Sequence, residues 1–142
     1  MNVIGRPAAP RSFWIVSVFS LLCNAFGAFD YTMTNLRDPG YLAQFPPGMM
    51  DVIDAFPVWA MAAWALGVWG AIAGSLLLLM RSRFAVHAFA VSLAGLAAST
   101  VYQMSLSGEG AMPLGVINLL IWAGALFLLW YAVRQRKAGV LA

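Results

Sequence analysis

Four long apolar stretches constrain this chain more than any other feature: Phe13–Phe29, Pro57–Met80, Phe84–Leu106 and Met112–Val133. None of them contains Asp, Glu, Lys or Arg. A bilayer core needs about 20 mostly apolar residues in helix. The first stretch is short by that measure and reaches the length by running on to Tyr31. Backbone polar groups in lipid must be satisfied within the fold, which leaves helices and closed barrels. Barrel strands alternate over about 10 residues, whereas these runs are about twice that length and do not alternate. The expected fold is therefore all-α, an integral membrane four-helix bundle in up-down-up-down order. It forms one domain over residues 1–142, with spans at about 13–31, 57–80, 84–106 and 112–133 and an outer loop over 30–56.

Composition supports this. The chain is 63% apolar and 9% charged, against about 25% charged in soluble domains. Its net charge of +3 is small and the basic residues form no groove-like run, so nucleic acid is not an expected partner. The expected surroundings are a lipid bilayer. The single cysteine, Cys23, has no partner for an internal disulfide.

Cytoplasmic loops gather Lys and Arg. With the N-terminus inside, Arg6, Arg11, Arg81, Arg83, Arg134, Arg136 and Lys137 lie inside and only Arg37 lies outside. Both termini are therefore expected in the cytoplasm. Trp14, Trp130 and Tyr131 then mark the inner interface, and Tyr31, Trp59 and Tyr102 the outer one, as aromatic belts do. A competing reading takes Arg6 and Arg11 with the first apolar stretch as a signal peptide, with Ala25-Phe26-Gly27 as a cleavage site. Cleavage would leave three spans. A lipoprotein reading of Cys23 is opposed by the bulky Leu22 before it.

Helices in lipid approach one another through small residues. Span two carries Ala60, Ala63, Gly67, Gly70 and Gly74. Span three carries Ala88, Ser92, Gly95 and Ser99. Spans one and four offer Ser17, Ser20, Asn24, Gly27 and Gly115, Asn118, Trp122, Ala125. The short connections at 81–83 and 107–111 make spans two, three and four antiparallel neighbours. At 1.5 Å per residue, Asn24, Ser99 and Asn118 fall roughly 9–12 Å below the outer helix ends, with Trp64 level and Gln103 higher. Asn24, Trp64, Ser99, Gln103 and Asn118 are therefore the candidate substrate-binding layer. The plainer alternative is an interhelical hydrogen-bond layer at about 0.6 kcal/mol per contact.

The outer loop turns at Pro39-Gly40 and Pro46-Pro47-Gly48 and is too apolar for a free loop. Met49–Ala55 is expected to form one or two helical turns with Asp51 and Asp54 on the wet side. The segment should lie over the outer mouth, as a lid or as an interfacial helix.

Catalytic and metal chemistry is sparse. His87 is the only histidine, so neither a two-histidine haem nor a zinc site is expected. The methionines near the outer face lack the close repeat that Cu(I) would favour, and no nucleophile stands beside a base. An enzyme is not expected, nor is a cofactor. Small multidrug exporters are also four-span chains but carry a membrane-buried glutamate. Here the nearest acid is Asp30, read as the edge of span one.

Certain motifs carry a loose likeness. They are Phe13-Trp14, Asn24 with Gly27, Phe56-Pro57-Val58-Trp59-Ala60, Gly67-Val68-Trp69-Gly70 with Gly74, and Leu79-Met80-Arg81-Ser82-Arg83-Phe84-Ala85. In layout the chain resembles a group of small four-span bacterial inner-membrane proteins that often carry a sugar-transporter label. The resemblance implies a bacterial inner-membrane location. It departs from the three-span sugar transporters of similar size, which have a Pro-Gln motif absent here. Two functions are expected on these grounds. One is a transporter-like bundle for a small neutral solute, acting as a homo-oligomer. The other is a non-catalytic accessory or assembly subunit of a larger membrane complex.

Overall fold

The computed structural model describes residue 5, residues 7–105 and residues 116–142. The expected end of span three at 106, the connection at 107–111 and the first turn of span four at 112–115 lie outside the described residues. The chain forms α1 (Arg11–Leu36), α2 (Pro39–Leu42), α3 (Met49–Asp54), α4 (Val58–Leu79), α5 (Ala85–Ser105) and α6 (Val116–Lys137). No strand occurs among the described residues. Of these helices, α1, α4 and α5 are each long and apolar enough to cross a membrane. The fourth long helix, α6, has 22 residues and ends on Arg134, Arg136 and Lys137, the charge its dipole favours at that end.

The first helix corrects the expected boundary. It does not stop near Tyr31 but runs to Leu36, so Asp30 lies within a helix rather than in a loop. Charge ends an apolar run, but it does not break a helix. The first breaker after Phe29 is Pro39-Gly40, and the helix stops just before it. Arg37 closes α1 in the left-handed region (φ 57), its N–H directed at the Met33 and Thr34 carbonyls. The Asp38 N–H also returns to Met33 O at 3.3 Å, completing a Schellman-type cap with proline next in sequence. Asp38 then caps α2 by accepting from the Tyr41 N–H at 2.8 Å. As expected, Met49–Asp54 is helical with Asp51 and Asp54 exposed, and Ile53 turns inward. Ser82 receives the Phe84 N–H at 3.3 Å before α5 begins.

The small-residue stripes of α4 and α5 meet. A Cβ on Gly95 would lie 2.7 Å from Ala63 O and Gly67 N, and one on Gly70 would lie 3.1 Å from Ser92 Cα. Ser92 donates to Gly67 O across this seam at 2.6 Å. Residue numbers rise along one helix as they fall along the other, so the two are antiparallel. The seam between α1 and α4 is antiparallel too, and it is polar. Ser20 meets Ser75 at 3.0 Å, Asn24 Nδ2 donates to Ser75 Oγ at 2.9 Å and to Ala71 O at 3.3 Å. Tyr31 reaches Trp64 edge to face at 4.9 Å. Against α5, α6 is fixed by Trp122 Nε1 donating to Thr100 Oγ1 at 3.2 Å.

Both chain ends gather at the Arg-rich end of the helices. Arg81, itself left-handed (φ 56), donates from Nε to Val140 O at 3.1 Å and from Nη2 to Pro7 O at 2.6 Å. The Ala142 N–H donates to Arg81 O, and the Arg83 N–H to Ala142 O, each at 3.0 Å. Beneath them Phe13, Leu78, Ala85, Phe89, Leu128, Tyr131, Ala132, Val140 and Leu141 form one buried cluster. Tyr131, expected at the membrane interface, instead turns inward and stacks on Phe13 with ring centroids 6.4 Å apart. Trp14 and Trp130 remain exposed.

Candidate functional site

At the opposite end lies a cavity of about 210 Å³, partly open to the surroundings. The overrun of α1 supplies two of its polar residues, Asp30 and Thr34, four residues apart and so on one helix face. A third, Gln103, comes from the last turns of α5. The apolar lining is Trp64 of α4 with Phe45, Met49, Ile53 and Phe56 of the segment between α2 and α4. That segment therefore lies over the mouth of the helices and folds its apolar side chains into it.

Several contacts hold the segment in place. Arg37 pairs with Asp54, its Nη1 lying 3.3 Å from Asp54 Oδ2. This contact raises the Arg37 guanidinium pKa above its ordinary value. Tyr41 donates its phenol O–H to Asp30 Oδ1. That hydrogen bond, then burial and the Asp30 charge, push the Tyr41 pKa from 10.0 up to about 12. Phe29 and Phe45 flank the Tyr41 ring edge to face at 5.7 and 5.5 Å. Phe56 meets Tyr102 at 4.9 Å.

Thr34 is the unusual member. Threonine hydroxyls within helices often bond the carbonyl one turn back. Thr32 does so to Ala28 O at 2.7 Å. Thr34 is only 2% exposed, yet its Oγ1 has no hydrogen-bond partner among the described residues. Buried polar atoms without partners are rare, because losing water without replacement costs about 1–3 kcal/mol. The Oγ1 itself is sealed from the cavity, so it is an uncompensated buried group next to the site and not an open contact for a ligand.

The five residues of the expected layer part company. Trp64 and Gln103 line the cavity. Ser99 is buried one turn below Gln103 and accepts from its Nε2 at 3.1 Å. Asn24 is elsewhere. It pairs with Ala71 and Ser75 on the α1–α4 seam, seven residues along α4 from Trp64 and so about 10 Å away along the axis. Its depth was measured from the wrong helix end, since α1 continues to Leu36. Asn118 is half-buried on α6, one turn from Trp122, and does not line the cavity. Sequence reasoning missed Asp30 and Thr34. The signal was the absence of glycine and proline between Phe29 and Pro39, which carries both residues into the helix at i and i+4.

No family model, curated protein or solved structure matches this chain.

Proposed function

We propose that this chain is a multi-pass protein of the bacterial inner membrane, with four spans and both termini in the cytoplasm. In this reading it is a transporter-like bundle that receives a small solute in the cavity between α1, α4, α5 and the overlying segment. The orientation rests on Arg81, Arg83, Arg134, Arg136 and Lys137, which favour the cytoplasmic side, and on the meeting of Pro7 with Arg81 and Val140. The solute reading rests on one observation above the others: a cavity of about 210 Å³ that sets Asp30 and Gln103 against an otherwise largely apolar wall with Trp64, Phe45 and Phe56. Such a cavity holds about seven waters at about 30 Å³ each, or a solute of about ten non-hydrogen atoms.

The accessory-subunit reading drew on small-residue stripes free to pack against another protein. Gly67, Gly70 and Gly95 are occupied within the chain, whereas Gly27 on α1 faces open space, so the α4–α5 stripes lend that reading no support. The test is uptake into proteoliposomes of a panel of radiolabelled sugars, amines and amino acids, with calorimetric binding on the purified protein. Saturable binding or flux that Trp64→Ala removes supports the reading. No saturable signal from any member of the panel refutes it.

A further inference from the structure

The donor and acceptor inventory of the cavity identifies the class of solute. Resting on the small-solute reading above, we infer that the cavity is a site for a small organic monocation, an ammonium head on a compact apolar body.

The polar lining is rich in acceptors. Asp30 is a carboxylate and donates nothing. One oxygen takes the Tyr41 phenol, and the other is left for a ligand. Gln103 gives one amide N–H to Ser99 and keeps its carbonyl oxygen and a second N–H. Thr34 Oγ1 is sealed within the wall and offers a ligand no contact. No Lys or Arg lines the cavity among the described residues. Arg37, which ties down the overlying segment, is paired with Asp54. The Asp30 carboxyl group, with no basic side chain in the described lining, favours a ligand that brings positive charge. The remaining wall is apolar and aromatic, with Trp64, Phe45 and Phe56, and indole and phenyl faces attract a desolvated cation. A hexose fits less well. It would bring about five hydroxyls into a wall with three polar side chains, and hydroxyls buried without partners oppose binding.

The probes are 2-phenylethylammonium and its neutral isostere 2-phenylethanol, titrated calorimetrically into the full chain in nanodiscs, with empty nanodiscs as the blank. The cation is expected to bind saturably and at least tenfold more tightly than the alcohol. Asp30→Asn should weaken the cation at least tenfold and leave the alcohol unchanged. Helix content by circular dichroism and elution volume confirm that the variant is folded. The comparison of cation with alcohol uses the wild-type chain and stands without the variant. Equal binding of the two probes overturns the monocation assignment, as does hexose binding without amine binding, and both leave the small-solute reading intact. If no probe and no member of the solute panel binds, both fall.

Discussion

Gly95→Ala tests the packing that positions the cavity. The added Cβ would sit 2.7 Å from Ala63 O and Gly67 N and 3.0 Å from Leu66 Cβ. Two of these atoms are backbone, so no rotamer change relieves the clash. An ordinary contact starts near 3.4 Å, so α4 and α5 must part by about 0.7 Å along this line. The hydrogen bond from Ser92 to Gly67 O, at 2.6 Å, crosses the same seam and would stretch with it. Overpacking of this kind costs about 1–3 kcal/mol. Replacing a helical glycine by alanine returns about 1 kcal/mol of propensity, which partly masks the loss. Gly124 supplies the correction, because a Cβ there meets nothing within 4 Å. Gly124→Ala carries the propensity gain alone. The prediction is therefore a difference: Gly95→Ala is less stable than Gly124→Ala by about 1–3 kcal/mol. Unfolding by SDS in mixed micelles, followed by circular dichroism, measures it. Equal stability of the two variants would refute the close approach of α4 and α5 at Gly95.

Four further outcomes follow. Asn24→Ala removes two donated bonds to α4 and should cost about 1 kcal/mol at about 0.6 kcal/mol per contact, with ligand binding unchanged, read by the same unfolding assay and by calorimetry. Thr34→Val removes the unpartnered hydroxyl and should raise stability by about 1 kcal/mol, read by the same unfolding assay. Tyr41 should ionise near pH 12 instead of 10.0, seen as phenolate absorbance, and Asp30→Asn should move it back towards 10.0. Because the folded pKa is raised, the Tyr41–Asp30 contact stabilises the loop fully below pH 10.0 and is lost as pH rises through about 12. Arg37→Ala should increase hydrogen exchange in Met49–Asp54 without altering exchange in α4 or α5, since Asp54 is tied back to α1 through Arg37.

The legible parts of this fold are those governed by local rules. The spacing of small residues on α4 and α5 identifies the faces that meet. Charge placement on Met49–Ala55 gave the exposed side of α3. The illegible parts depend on where a helix ends in three dimensions. Apolarity locates the stretch of α1 able to cross lipid, whereas Pro39 fixes where the helix stops. That difference moved Asp30 and Thr34 from a loop into a cavity wall, and it lowered Asn24 out of the layer to which depth counting had assigned it. Tyr131 shows the same limit. Its composition suits an interface, and only the proximity of Phe13 and Phe127 turns it inward.

The two ends of the helices differ in how they are held, and this bears on how a solute would enter. At the Arg-rich end, backbone bonds join Arg81 and Arg83 to Ala142, and the Arg81 side chain spans Val140 and Pro7. Phe13, Leu78 and Phe89 close the space beneath, all nearly or wholly buried. Parting the helices there would expose that cluster and break several hydrogen bonds at once. At the other end the cover is a short segment bounded by Gly48, left-handed at φ 83, and by Pro57 before α4. Its ion pair joins two exposed side chains, Arg37 and Asp54, and its other ties are aromatic edges, the Tyr41 phenol and the Tyr102 O–H donated to Ala55 O at 3.5 Å. Exposed pairs are weak and screened by salt, and few hydrogen bonds must break to lift the segment. Opening at the loop end therefore costs less than opening at the Arg-rich end. On the proposed solute reading, exchange between the cavity and the outside would proceed by displacement of Phe45–Phe56, and the Tyr41–Asp30 contact would make that displacement sensitive to whatever occupies Asp30. A cation on the other Asp30 oxygen would compete with the phenol for the carboxylate charge and so loosen the tie that keeps the segment closed.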